Sequence, residues 1–250
     1  MDEKDADERT PQSVWDERYR NLEMEYGGEK CNFQELFDKY LPGDGTLFEV
    51  GCYPGRFLIY LGKKLGYTVN GIDRTPYVHD RLRSKLEECG IKCGDLIEGD
   101  FFQFQSAKQY DVVCSFGFIE HFSDTEDVLR RHVALLKSGG ILVISVPNFA
   151  GGVQFILHNW LDRKNLLQHN LSAMDLNEWS RILGKLGMQI SYIDYYDTAG
   201  FWIEADAGRL QPLKRTIAKF IQYSMMICNR LIDHPNAAIS PFMISFSKKL

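Results

Sequence analysis

Short apolar runs alternate along the chain with longer segments whose apolar positions recur every three or four residues. The first pattern fits strands buried in a sheet, the second helices with one buried stripe. Strands are predicted over Thr46–Val50, Thr68–Ile72, Leu96–Glu98, Asp111–Phe116, Ile141–Val146, Met188–Tyr195 and Ile239–Phe246. Ile141–Val146 is apolar throughout, as expected of a strand covered on both faces. The alternation of strand and helix points to a doubly wound α/β fold with a mostly parallel sheet.

Helices are predicted over Val14–Tyr26 and Phe33–Tyr40, the second stopped by Pro42-Gly43. Another spans Gly55–Leu65 and ends at Gly66. Thr75-Pro76 reads as a cap and first-turn proline opening a helix that stops at Gly90. Ser123–Glu126 is a capping-box pattern, and Ser172–Gly187 reads as a further capped helix. Residues 1–12 are charged and patternless and are expected to be a disordered tail before a single domain over 13–250. Two segments interrupt the rhythm, near 149–171 and 197–235. Insertions at such places usually shape a pocket above the sheet. The second holds an amphipathic helix near 212–232, with Leu213, Ile217, Phe220, Ile221, Met225, Ile227 and Leu231, and with Lys214, Arg215 and Lys219 near its start. Core packing is the default for that apolar face; covering an apolar acceptor, pairing with a second subunit, or touching a membrane surface are the alternatives.

A net charge of −5 argues against a global nucleic-acid field, so no nucleic-acid partner is expected. No apolar run is long enough to span a bilayer, and the charged N-terminus is no signal peptide, so a cytoplasmic chain without stable membrane insertion is expected. Six cysteines lie mostly inside predicted elements. Cys89 and Cys93 have no second ligand pair, so reduced thiols and no metal are expected.

Four stretches carry chemistry. In Leu47-Phe-Glu-Val-Gly51-Cys-Tyr-Pro-Gly55 a strand turns through glycines into a helix, which lets a ligand approach the backbone. A dinucleotide fingerprint would need glycines where Tyr53 and Arg56 stand, which disfavours NAD or FAD. A plain tight turn is the competing reading. Asp73, ending Val69-Asn-Gly-Ile-Asp, could accept both hydroxyl protons of a ribose or merely cap a helix. Asp100, in Glu98-Gly-Asp-Phe-Phe102, could accept from an adenine amino group with the aromatics on the ring face; a turn followed by core phenylalanines is the alternative. The strand in Tyr110–Phe122 breaks at Gly117 and then presents Glu120 and His121 side by side, at the end of the sheet where open α/β folds bind ligands. His121 there reads as a base, a polar wall or a helix cap.

The order of these stretches, together with Leu136–Asn148, resembles the class I S-adenosylmethionine (SAM)-dependent methyltransferases from about Trp15 onward. The resemblance implies a Rossmann-like, seven-stranded sheet with an antiparallel last strand. It implies that Glu49 and the Gly51–Gly55 loop, including Cys52 and Tyr53, hold the methionine end of SAM. Asp73, with Arg74 beside it, would bind the ribose, Asp100 and Phe101 the adenine, and Phe116 and Gly117 would face the methionine ammonium. The Trp15–Tyr19 stretch looks like the helix covering the cofactor, with Tyr19 against it. His121 is expected at both cofactor and acceptor. Tyr53 replaces the family's middle glycine, pointing either over the cofactor or away from it.

The implied activity is methyl transfer to an oxygen or nitrogen of a small molecule, sugar or lipid-like acceptor; a non-catalytic SAM-binding protein on the same fold is the alternative. His121, His158 and His169 are candidate bases, His121 and His169 foremost. Trp15, Tyr19, Trp160, Tyr195, Tyr196 and Trp202 are candidate pocket aromatics or ordinary core. Ser115-Phe-Gly-Phe118 lacks the motif of nucleobase-amino methyltransferases. A homodimer is compatible with the sequence.

Overall fold

Parallel strands whose side chains are apolar on both faces need helices on both sides, and the chain supplies them. A computed structural model describes residues 10–24, 27–204, 211–228 and 233–250. The strands are β1 (Thr46–Val50), β2 (Thr68–Asp73), β3 (Cys93–Glu98), β4 (Tyr110–Phe116), β5 (Leu136–Pro147), β6 (Met188–Tyr196) and β7 (Phe242–Lys249). They form one sheet in the order β3-β2-β1-β4-β5-β7-β6. β7 runs antiparallel to both of its neighbours, β5 and β6.

The helices are α1 (Gln12–Arg20), α2 (Gln34–Tyr40), α3 (Arg56–Leu65), α4 (Arg81–Glu88), α5 (Thr125–Ala134), α6 (Gly152–Leu161), α7 (Arg163–Leu167), α8 (Leu176–Lys185) and α9 (Gln211–Cys228). Side chains alternate across the sheet. Phe48, Val50 and Val113 pack with Val128 and Leu129 of α5 and Trp179 and Leu183 of α8. Leu47, Val112 and Cys114 face Phe37 of α2, Leu58 and Ile59 of α3 and Leu82 of α4. β1 leads through α3 to β2 on one side and pairs with β4 on the other. Strand order therefore reverses at β1 and β4, where a crevice opens at the strands' carboxyl ends.

Several expectations are corrected in detail. Of the expected 1–12 tail, residues 1–9 lie outside the described residues. Thr10 is buried and α1 opens at Gln12, because the Thr10 hydroxyl donates to Gln168 O across the fold. Thr75 makes no cap hydrogen bond; the expected helix is a 3-10 turn at Pro76–Val78 followed by α4. Asp124, not Ser123, caps α5 by accepting from Asp127 N, and Asp175 caps α8. The last strand starts at Phe242 rather than Ile239, since Ser240 N donates to Asn236 O and holds 236–240 in a turn. Residues 229–232, expected to end the 212–232 helix, lie outside the described residues. The 149–171 insertion forms α6 and α7.

Candidate active site

The glycine turn after β1 is built by positive-φ backbone. Gly51 (φ 72°) and Gly55 (φ 88°) adopt the left-handed conformation that side chains disfavour. A Cβ on Gly51 would lie 2.8 Å from the Phe118 ring, and one on Gly55 2.1 Å from Leu82 Cδ1. The amides of Gly51 and Cys52 donate to Ile72 O at 2.9 and 3.1 Å, and Tyr53 N donates to Asp73 Oδ2 at 3.0 Å. The turn is therefore tied to β2, with the amides of Gly51, Cys52 and Tyr53 occupied.

Above the sheet ends lies a cleft of about 540 Å³, within the range of small-molecule sites. Of the sequence-predicted residues, Tyr19, Gly51, Tyr53, Asp73, Arg74, Asp100, Phe101, Phe116, Gly117, His121 and His169 line it. Glu49, Cys52 and Gly55 do not: Cys52 lies against Gly71, Gly55 lies close to Leu82, and the Glu49 carboxyl takes a hydrogen bond from the Leu58 amide of α3. Glu49 is buried with Oε2 unpartnered among the described residues, and burial holds its carboxyl well above the usual range. His158 is also outside the cleft, packed against Phe149 and Phe201. Trp160 is exposed, and Tyr195 and Tyr196 lie elsewhere, Tyr196 accepting from Phe33 N at 3.2 Å. Trp15 and Trp202 do reach the cleft.

At one part of the cleft, Asp73 accepts from Tyr53 N through Oδ2 and from Thr75 N through Oδ1, both at 3.0 Å. Burial raises its carboxyl to about 6 against those hydrogen bonds. Asp100 caps Phe102 N at 2.9 Å and pairs with Arg74 Nη2 at 2.7 Å, a partner not foreseen from sequence. Tyr53 lies over the turn, its ring edge-on to Tyr19 at 4.8 Å. A row of rings continues from Tyr19 to Trp15 (5.9 Å) and from Trp15 to His121 (5.0 Å).

That row ends at a buried polar group. His121 and His169 lie 4.8 Å apart by ring centroid. His169 Nδ1 is 2.7 Å from Asn165 O, and His121 Nδ1 is 3.3 Å from both Gln168 O and Thr10 Oγ1. A carbonyl only accepts, so it selects the Nδ1–H tautomer and leaves the lone pair on Nε2. Burial pushes His121 down to about 3 and His169 to about 4. Glu120, absent from the sequence-derived site, lines the same cleft; burial raises it to about 8 and its Oε2 has no partner among the described residues. Its signal was available, as the neighbour of His121 after the Gly117 break. Glu120, His121 and His169 bring one donor atom each within 4.8 Å, the trio among the described residues with metal-ligand chemistry. Thr10, Arg18 and Glu204 were also missed; Arg18 lies over the Trp15 ring and 3.7 Å from Glu204.

The chain matches a family model described as a methyltransferase domain over residues 23–192. It is 26% identical over 131 residues to a trans-aconitate 2-methyltransferase of Enterobacter sp. (strain 638), covering 51% of this chain and 50% of that protein. The chain thus spans about half the length of the trans-aconitate relatives it matches. It is 24% identical over 193 residues to a ubiquinone biosynthesis O-methyltransferase of Xanthomonas axonopodis pv. citri (strain 306), covering 74% of this chain and 77% of that one. Among solved structures, geranyl diphosphate C-methyltransferase from Streptomyces coelicolor A3(2), in complex with Mg2+, geranyl diphosphate and S-adenosyl-L-homocysteine, superposes with a TM-score of 0.57 at 12% identity, covering 86% of this chain and 77% of that chain.

Proposed function

The chain belongs to the methyltransferase-domain family, and from that premise we propose that it moves a methyl group from SAM to an oxygen or nitrogen of a small acceptor, sugars and lipid-like molecules included. The observation that carries this reading is that the strand-end acid Asp73 and the His121–His169 pair line one cleft.

The residues present fit the cofactor. Asp73 keeps acceptor capacity beyond its bonds from the Tyr53, Arg74 and Thr75 amides, which suits a vicinal diol. Phe101 offers a ring face for adenine, and Asp100 with Arg74 a polar edge beside it. Phe57, Phe116 and Phe118 present an electron-rich aromatic wall, which suits a cationic sulfur. When bound, SAM supplies an electrophilic methyl group on a sulfonium.

The protein's own part is position and proton handling. Holding the acceptor lone pair in line supplies on the order of 7–11 kcal/mol. His121 and His169 are neutral at pH 7, with Nε2 as the lone-pair nitrogen; either takes the acceptor proton as the new bond forms. The surrounding rings of Trp15, Phe149 and Trp202 exclude water from that end.

The test is transfer of label from methyl-labelled SAM across a panel of carboxylates, phenols, sugars and amines. Asp73-dependent SAM binding with turnover of one acceptor class supports the reading. SAM binding without transfer to any class would favour a non-catalytic role, and no SAM binding would remove the reading altogether.

A further inference from the structure

Exposed large apolar side chains are concentrated in one region. Of the eleven among the described residues, nine lie on α6, α7 and α9, including Ile156 (64%), Trp160 (65%) and Phe220 (72%). α9 seats on the protein through Ala218, which clusters with Leu161 and Phe201, and through Ile217, Ile221 and Met225. Phe220, Tyr223 and Ile227, three and four residues apart, share the opposite side. Such a patch on an otherwise polar surface marks a contact.

Charge identifies the contact. The sequences of α6, α7 and α9 contain no aspartate or glutamate and five cations, Arg163, Lys164, Lys214, Arg215 and Lys219. The chain as a whole carries −5. Aromatic side chains among basic ones are the composition of a face that settles into the headgroup layer of an anionic bilayer. A second copy of the same face would instead set these cations against each other. No helix among the described residues is long and apolar enough to cross a membrane.

We infer that the α6–α7–α9 face docks peripherally on an anionic lipid bilayer. The face backs onto the site: His158 of α6 packs between Phe149 and Trp202, which line the cleft. Docking would therefore hold the His121–His169 end of the cleft one layer from the lipid. The docking itself does not rest on the methyl-transfer reading, because it is measured without SAM or acceptor.

The experiment is co-sedimentation of the full chain with phosphatidylcholine vesicles, with and without phosphatidylglycerol. Binding is expected only to the anionic vesicles, weakening as salt rises. It should fall roughly fivefold for each of Arg215→Ser and Lys219→Ser, and be lost in Phe220→Ser. The surface-charge variants keep the test decisive if the apolar variant misfolds by circular dichroism. Trp160 should contribute a blue shift on the anionic vesicles that Trp160→Phe removes. No sedimentation with either vesicle at low salt would overturn the proposal. So would equal, salt-insensitive binding to both. A dimer in solution that Phe220→Ser converts to monomer would assign the face to a second copy instead.

Discussion

His169 stands 4.8 Å from His121, ring centroid to ring centroid, each with Nδ1 facing a backbone carbonyl of the 165–168 segment. The two imidazoles are thus oriented by the main chain and kept neutral by burial. Replacing either with alanine should lower kcat by roughly 10²–10⁴-fold if it takes the acceptor proton, while His169→Ala should leave SAM affinity within a few-fold. With His121 pushed down to about 3 and His169 to about 4, neither limits the rate between pH 5 and 8. An acid limb near pH 6.5 that disappears in His121→Ala would contradict that assignment.

Asp73→Asn should weaken SAM binding at least tenfold by isothermal calorimetry, since hydrogen bonds to a charged group contribute about 1.5–3 kcal/mol. The asparagine oxygen can still accept an amide, so the melting temperature should move little. In the wild type, affinity should fall as pH drops through about 6, where Asp73 takes up its proton. Unchanged affinity in the variant would detach Asp73 from the ribose.

Glu120→Gln isolates a different linkage. The folded protein holds this proton up to about 8, whereas an unfolded chain releases it near about 4.3. The carboxyl's contribution is therefore fully present below the lower value and is lost as pH rises toward the upper one. Denaturant unfolding of the two proteins should show the variant gaining relative stability from pH 5 to 8 and none above. A constant difference across that range would place the carboxylate in water.

Gly55→Ala should destabilise by roughly 1–3 kcal/mol, because the residue sits at φ 88° and its Cβ would overlap Leu82 Cδ1. Adding Leu82→Ala should relieve the overlap but not the backbone strain, so the double variant's loss should be less than the sum of the two singles. Strict additivity in urea melts would show that the overlap costs nothing.

Much of this was legible in the sequence. All seven strands were visible as apolar runs, and Asp73, Asp100 and His121 do line one cleft, because strand ends in a parallel sheet gather on one side; His169 reaches it from the turn after α7. What escaped was decided by tertiary contact. β3 begins at Cys93 rather than Leu96 because pairing with β2 outweighs the polar Gly94-Asp95. β5 starts at Leu136, which pairs with Tyr110 before the Lys-Ser-Gly-Gly stretch breaks the register. Thr10 looked like tail, yet its partners stand 111 and 158 residues away. Glu49 is expected to face the ligand; it is buried beside the Leu58 amide at the start of α3 and is not among the residues that line the cleft. His158 carried the same chemistry as His169; only the path of α6 sends it into an aromatic layer.

Among the described residues β6 touches the rest of the sheet through β7 alone, although β7 comes 46 residues later in the chain. While the polypeptide emerges from a ribosome, the outer edge of β5 and the inner edge of β6 wait without hydrogen-bonding partners until residues 242–249 arrive. That half of the molecule is consequently where a stalled or nicked chain would present unpaired strands to its neighbours.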